Sequence, residues 1–351
     1  VTGVSLRLDQ TRWREHLQTV LGATPGLVPV AKGNGYGYGL RRLAEESAAL
    51  GVDTIAVGTA DEVAAVRDVF PGDIVVLTPW RPDNVLATEL ASDPRIITTV
   101  SRLEDLAALA TDANPPRVLV EVLTSMRRHG IPAEDLAQVV SLLGKVQFEG
   151  WTIHLPLLAA GRYVEAERLA RTALQASAGP LWLSHLPPEE AMALARQLGG
   201  ANGDPVPFRL RVGTRLWLGD ERTRSTTATV LDVHRIKRGE RAGYRQRVVP
   251  ADGWIIVVAG GTSHGIGLEA PTSASNVRQR VIAFATGSLE AAGLALSPYT
   301  VNGSKRWFLE PPHMQSSLLF LPRKETPPLV GDELPVELRL TTATVDHIVT
   351  E

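Results

Sequence analysis

The chain has 351 residues, 44% hydrophobic and 21% charged, with a formal net charge of −2; this suits one large domain plus a smaller one and offers no field for nucleic acid or an anionic membrane. Its lack of cysteine removes disulfide frameworks, cysteine-ligated zinc or iron–sulfur sites and thiol nucleophiles together. Residues 1–9 lack a basic stretch followed by an apolar run, and no segment approaches ~20 apolar residues, so a cytoplasmic location and small-molecule partners are expected.

Residues 4–8 form a β-type segment ahead of the first helix and are expected to add a strand to a later β domain. Up to about residue 212 the chain then alternates short apolar runs with amphipathic, Ala- and Leu-rich stretches, the pattern of repeated βα units. Eight runs fit strands: 27–32, 54–57, 74–77, 96–98, 117–123, 148–154, 181–184 and 208–212. Helical stretches between them include 40–50, 60–69, 102–110, 133–142, 163–174 and 188–198. Thr59 precedes a stretch with Asp61 and Glu62, and Ser101 has Glu104 three residues on, so both are expected to cap helices. Eight parallel strands with intervening helices match a (β/α)8 TIM-type barrel, which needs ~200 to 250 residues; an open doubly wound sheet is the alternative. After residue 217 the character changes to β-branched runs between Gly, Pro and charged turns, at 225–234, 246–249, 254–259, 281–285, 316–321 and 334–340. These predict an antiparallel β domain. The expected organisation is α/β: residues 1–8 as a strand of the β domain, 9–217 as the barrel, and 218–351 as the mostly β C-terminal domain.

The first barrel strand ends in VPVAKGNGYGYGL, residues 28–40, where an apolar wall delivers Lys32 into a glycine-rich turn with Tyr36. Barrel enzymes keep their chemistry at the C-terminal ends of strands, and a lysine desolvated there becomes a nucleophilic amine. Pyridoxal phosphate (PLP) attaches covalently to such an amine. The glycines let the backbone approach a flat ring, and Tyr36 offers a hydroxyl or a stacking face. Taken alone, Lys32 also reads as a solvated strand-end lysine before a flexible turn.

This segment resembles the lysine motif of the alanine racemase family, matched by Lys32, Tyr36 and Gly37, and weaker matches follow in order along essentially the whole chain. TSMRRHG, 124–130, resembles the family's Thr-Gly-Met-x-Arg-x-Gly and puts Arg128 on its arginine. IHL places His154 where the family stacks a histidine on the cofactor ring, and Ser184 resembles a phosphate-contacting serine. RVGT, 211–214, resembles Arg-Pro-Gly-Ile, with Arg211 facing the pyridine nitrogen and Gly213 and Thr214 on the phosphate-binding amides. KRGERAGYRQ, 237–246, resembles the segment carrying the second catalytic base, which points to Tyr244. Individually His154 is also readable as an ordinary strand-end histidine, Arg128 as part of a solvated cluster with Arg127 and His129, and Tyr244 as an exposed turn residue. Together His154, Ser184, Arg211 and Gly213 fall at the ends of independently counted strands, and barrels frequently keep a phosphate site after their last two strands.

The resemblance implies a PLP-dependent isomerase, a fold type III amino-acid racemase using Lys32 on one face of the substrate and Tyr244 on the other, with Arg128 and Met314 near the substrate and no metal. It also implies a head-to-tail homodimer, because the family's second base reaches the other subunit's site. Tyr244 would need cationic neighbours to act as a base, and Arg128 or Arg211 are the expected sources. The guanidinium of Arg211 would leave the ring nitrogen unprotonated and weaken the electron sink.

Four departures bear on the substrate. GGTSHGIG, 260–267, puts Thr262 in place of the family's entrance tyrosine and adds His264, so a more open and polar entrance is expected. Gln315 replaces the aspartate after Met314. Glu121 stands where many members carry a modified lysine, and is expected to be the direct anionic partner of Arg128. No tyrosine follows Leu334, where the family usually has a phosphate-contacting one. The expected substrate is thus an amino acid or derivative not restricted to alanine. Rival readings are a non-catalytic PLP-binding or regulatory protein of the same fold, and a fold type III decarboxylase, which would use a cysteine this chain lacks.

Overall fold

A computed structural model describes residues 2–157, 160–199, 203–268 and 295–351. The chain divides into two compact units, one of residues up to Trp13 with Asp220–Glu351, the other Arg14–Gly219. In chain order the first elements are β1 (Val4–Leu8), α1 (Gln10–Gly22), β2 (Leu27–Pro29), α2 (Leu40–Ala49), β3 (Thr54–Val57), α3 (Val63–Val66), β4 (Asp73–Val76), α4 (Val85–Ala91) and β5 (Ile96–Val100). They are followed by α5 (Leu103–Leu109), β6 (Arg117–Val122), α6 (Leu136–Leu143), β7 (Gln147–His154), α7 (Arg162–Ala176), β8 (Leu181–Ser184), α8 (Pro188–Gln197), β9 (Phe208–Val212) and α9 (Thr214–Leu218).

Strands β3 to β9 pair in parallel in sequence order, and β2 pairs with β9. A parallel bridge between Val30 and Ala56 joins β2 to β3 and closes the eight strands into a barrel. Side chains alternate along each strand, so every second residue points into the barrel. Val28, Val30, Ala56, Val75, Ile97, Leu119 and Trp182 meet there. The opposite faces pack against the helices: Val118, Val120, Val122, Trp151 and Ile153 join Leu106, Leu136, Leu169 and Leu194 in one buried cluster. Near the N-terminal ends of the strands, Arg117 pairs with Asp73 and Glu149, and Arg209 with Asp53.

The β unit continues with β10 (Arg224–Ile236), β11 (Arg241–Ala242), β12 (Arg247–Val248), β13 (Gly253–Ala259), β14 (Leu296–Val301), β15 (Ser304–Trp307), β16 (Ser316–Pro322), β17 (Glu333–Pro335) and β18 (His347–Thr350). Its main sheet runs β16-β13-β10-β1-β18, with β17 also on β10. Strand β10 is long enough to serve three neighbours: its first half pairs with β1 and β17, and its second with β13 through a ladder that shifts register between Val230 and Asp232. Val4, Ala228, Val230, Ile256, Val258, Leu319 and Leu321 form the core with Tyr299. The Tyr299 hydroxyl lies 2.9 and 2.8 Å from the carbonyls of Ala259 and Gly260.

Several expectations change. The β domain is not purely antiparallel, since β18 runs parallel to β1. The strand expected at 334–340 is only β17, and the β14–β15 hairpin had no counterpart in the apolar pattern. The expected strand at 281–285 lies outside the described residues. Thr59 does open a capping box with Glu62, but the helix expected over 60–69 is a 3-10 turn plus α3. Ser101 is not a helix cap: α5 starts at Leu103 after Arg102, and the Ser101 hydroxyl accepts from Arg81 instead. The guanidinium of Arg81 also pairs with Asp105, so a tertiary partner takes the cap's oxygen. Among the described residues no helix is long and apolar enough to cross a membrane.

Candidate active site at the C-terminal end of the barrel

Lys32 leaves β2 on a strand end pinned from three sides. The Val30 amide donates to Val212 at 2.9 Å and the Ala31 amide to Ala56 at 2.8 Å, while the buried Trp217 indole donates to the Val30 carbonyl at 2.8 Å. Immediately beyond, Glu62 gathers three backbone amides: Gly33 at 2.8 Å, Gly58 at 2.6 Å and Thr59 at 3.3 Å. One carboxylate thereby ties the loop after Lys32 to the turn after β3. The loop then tightens into a 3-10 turn in which Tyr36 adopts a left-handed φ of 56°, its amide held by the Asn34 side chain at 3.1 Å. The buried Tyr36 phenol bonds the Thr214 side chain, and burial pushes its pKa up to about 12. Gly213 is required beside it, because a Cβ there would overlap the Tyr36 hydroxyl oxygen.

The strand register sets the next residues in one row. His154 lies opposite Ser184, and Ser184 opposite Arg211, so the three project into the same end of the barrel. Arg211 is only 7% exposed. Its Nε and Nη2 are buried without a hydrogen-bond partner among the described residues, as is Oε2 of Glu121. A buried guanidinium with free N–H groups is costly unless something accepts from them. Burial lowers the pKa of Arg211 to about 10 while Glu121 opposes the shift, so the group stays cationic near neutrality. Burial drives Glu121 the other way, above the usual carboxylate range, against the pull of Arg211 and then of Arg128. Glu121 does not pair directly with Arg128 as expected: Arg211 acts on it more strongly, and its Oε2 has no hydrogen-bond partner among the described residues. Arg128 is exposed, on a loop that folds back so that the Ile131 amide donates to Glu121 and the Leu123 amide to Ile131.

These cations act on one another. Burial first, then Arg128 and Arg211, lower the pKa of Lys32, with Glu62 partly opposing. Burial and the same arginines take His154 to about 2, so its imidazole is neutral. Sequence reasoning missed two neighbours. Glu62 appeared only as a helix-opening acid, and its role depends on strand ends 29 residues apart meeting. His185 follows Ser184 with a left-handed φ of 62°; its Nδ1 lies 2.8 Å from the Leu155 carbonyl and its ring 5.0 Å from that of His154. A carbonyl only accepts, so Nδ1 carries the proton and Nε2 the lone pair.

In the β unit, Tyr244 sits in the turn between β11 and β12, 87% exposed, with its ring 4.6 Å from His313. Met314 is also exposed. His264 does not line an open entrance as expected. It is 7% exposed, its Nε2 3.1 Å from Asp346 and its Nδ1 accepting from the Gly261 amide. Asp346 in turn accepts from the Val4 amide at 2.8 Å. The Ser263 hydroxyl donates to the Met314 carbonyl at 2.6 Å, so this cluster fastens segments together.

Solved structures of alanine racemases share this eight-stranded barrel joined to a mostly β unit. The enzyme from Bartonella henselae, described with covalently bound pyridoxal phosphate, superposes with a TM-score of 0.70 at 17% identity, covering 97% of this chain and 94% of that one. The one from E. faecalis gives 0.68 at 18% identity, covering 95% and 88%. The chain belongs to the alanine racemase family, matching the family description "Alanine racemase, N-terminal domain" over residues 8–197. Among curated relatives it is 29% identical to the alanine racemase of Nitratidesulfovibrio vulgaris over 144 residues, 40% of this chain and 38% of that protein. With the Corynebacterium glutamicum alanine racemase it shares 28% over 133 residues, 37% and 36% of the two. The match thus spans well under half of those relatives' length.

Proposed function

We propose that the chain is a PLP-dependent amino-acid racemase, acting through Lys32 and Tyr244 on an amino acid or derivative, and assembled as a homodimer with shared sites. The observation that carries this reading is Arg211: a cation buried in the barrel end with two unpartnered nitrogens, near an exposed lysine whose pKa is lowered by partial desolvation and by Arg128 and Arg211. Such a pair suits PLP, which offers an aldehyde to the amine and an acceptor nitrogen to the guanidinium. Tyr36, Arg128, His154, Ser184, Arg211, Gly213 and Thr214 would hold the cofactor, with Lys32 as its covalent anchor.

When bound, the cofactor supplies the electron sink that acidifies the substrate's α-hydrogen. The protein's residues do the rest. Lys32 Nζ, poor at holding its proton in this setting, takes or returns the α-proton on one face; the Tyr244 phenol of a second copy serves the other. Arg211 presents N–H donors and no acceptor, so it would hold the cofactor's ring nitrogen as an unprotonated acceptor. Arg128 and Met314 are the substrate-side residues, with Arg128 offering a charge to the carboxylate. Thr262 and Gln315, in place of larger or charged groups, support a substrate range beyond alanine.

Borohydride reduction of the purified protein, with visible spectra before and after and mapping of the labelled peptide, tests the anchor; label absent from Lys32 overturns the reading. In heavy water, a panel of amino acids should show α-proton exchange, and Tyr244→Phe should abolish it for one enantiomer. A labelled protein that exchanges no amino acid is a PLP binder without turnover.

A further inference from the structure

Tyr244 is 87% exposed, yet the turn that carries it is anchored on a buried charge. Glu310, 2% exposed, lies beneath residues 243–246. Its Oε1 accepts from the Tyr244 amide at 3.0 Å and its Oε2 from the Arg245 amide at 3.1 Å. Oε1 also receives Nε2 of His313 at 2.7 Å, and the His313 ring stands 4.6 Å from the Tyr244 ring at a tilt of 52°. Burial, the largest influence on Glu310, favours its protonation, yet the Arg245 amide, His313 and the Tyr244 amide together hold its pKa below the usual carboxylate value. The carboxylate is therefore ionised at neutral pH. Gly243 has a φ of +77°, and a Cβ there would overlap the same carboxylate.

Reversing the chain between two two-residue strands does not need this device. The amide of Gln246 already closes the turn on the Gly243 carbonyl at 3.1 Å. Burying a charge is costly; here the carboxylate's two oxygens are taken up by the two amides of the turn and the His313 imidazole. Neither Glu310 nor His313 stood out in the sequence, because the separation of 66 positions between Tyr244 and Glu310 hides their meeting.

We propose that Glu310 and His313 are positioning residues that orient Tyr244, the carboxylate setting its backbone and the carboxylate-held imidazole setting its ring. This rests on the reading of Tyr244 as the second base, and the test separates the two. Exchange of the α-proton of L- and D-alanine, and of L- and D-serine, is followed in heavy water for wild type, Glu310→Gln, Glu310→Asp, His313→Gln and His313→Phe. In parallel, 3-fluorotyrosine is incorporated and the fluorine resonance of Tyr244 is identified by its loss in Tyr244→Phe. Expected is a loss of about tenfold or more in exchange at the enantiomer that Tyr244→Phe abolishes, with the other enantiomer and the borohydride label on Lys32 unchanged. Glu310→Asp should restore part of that loss. The Tyr244 fluorine signal should move toward that of an unstructured tyrosine in Glu310→Gln and His313→Gln, and less in His313→Phe, which keeps a ring. Equal losses at both enantiomers, or a fluorine signal unchanged in Glu310→Gln, would overturn the proposal. If wild type exchanges neither amino acid, the fluorine spectra alone decide it, and the failure belongs to the functional reading.

Discussion

The protonation of Lys32, His154 and Arg211 is shifted by the same two influences, desolvation by the barrel end and the concentration of positive charge there, although Lys32 itself is exposed. His154 gives the cleanest consequence. Its folded pKa, about 2, lies below the ordinary 6.5, so between those values the unfolded chain binds a proton that the folded one does not. Stability therefore has its full contribution from this group above about pH 6.5 and loses it as pH falls. His154→Gln is expected to remove about one proton from the acid slope of stability against pH, read from urea denaturation between about pH 4 and 7; an unchanged slope would mean that the imidazole is solvated. The strand ends were legible from their apolar runs, and the roles expected of the residues on them came from the resemblance to the alanine racemase family. The strained His185 was not, since nothing local marks a histidine that must turn back to the Leu155 carbonyl.

At the scale of elements, the site depends on how β2 and β3 end. Both stop at a Gly-containing turn, and Glu62 bridges the two by accepting Gly33, Gly58 and Thr59 amides. Glu62→Ala deprives all three donors of their acceptor, at a cost of ~1 to 2 kcal/mol by analogy with losing a strong helix cap. We expect a lower urea midpoint and slower labelling of Lys32 after addition of PLP; wild-type labelling kinetics would show that the loop is held by other contacts. The capping box of Thr59 was readable from its spacing, whereas the reach of Glu62 to Gly33 was not. Ser101 shows the opposite failure: its spacing to Glu104 satisfied a local rule, but Arg81 claimed the hydroxyl. Local signals are reliable where no distant group competes for the same atom.

For the whole molecule, the two bases of the proposed mechanism lie in different compact units, and the proposed head-to-tail dimer would bring Tyr244 of one copy to Lys32 of another. Sedimentation should give about twice the 37.8 kDa chain mass. A sharper outcome follows from mixing Lys32→Ala with Tyr244→Phe, each inactive for two-base turnover alone. Random reassociation yields mixed dimers with one site intact, so about a quarter of wild-type racemisation should return. No recovery after demonstrated subunit exchange would place both bases in one copy.

The sequence by itself determined the eight barrel strands, most within one or two residues although the first ends at Pro29 and not at Lys32 as expected, the strand ends that carry His154, Ser184 and Arg211, and the change to β structure after them. Those are properties of short periodic runs, and periodicity is local. Only the tertiary structure decided that β18 runs parallel to β1, that His264 fastens Asp346 instead of lining an entrance, that Glu121 answers to Arg211 before Arg128, and that Glu310 and His313 stand under Tyr244. Each of these is a contest for one hydrogen bond or one charge among groups far apart along the chain, and its outcome is fixed by which of them the fold brings together.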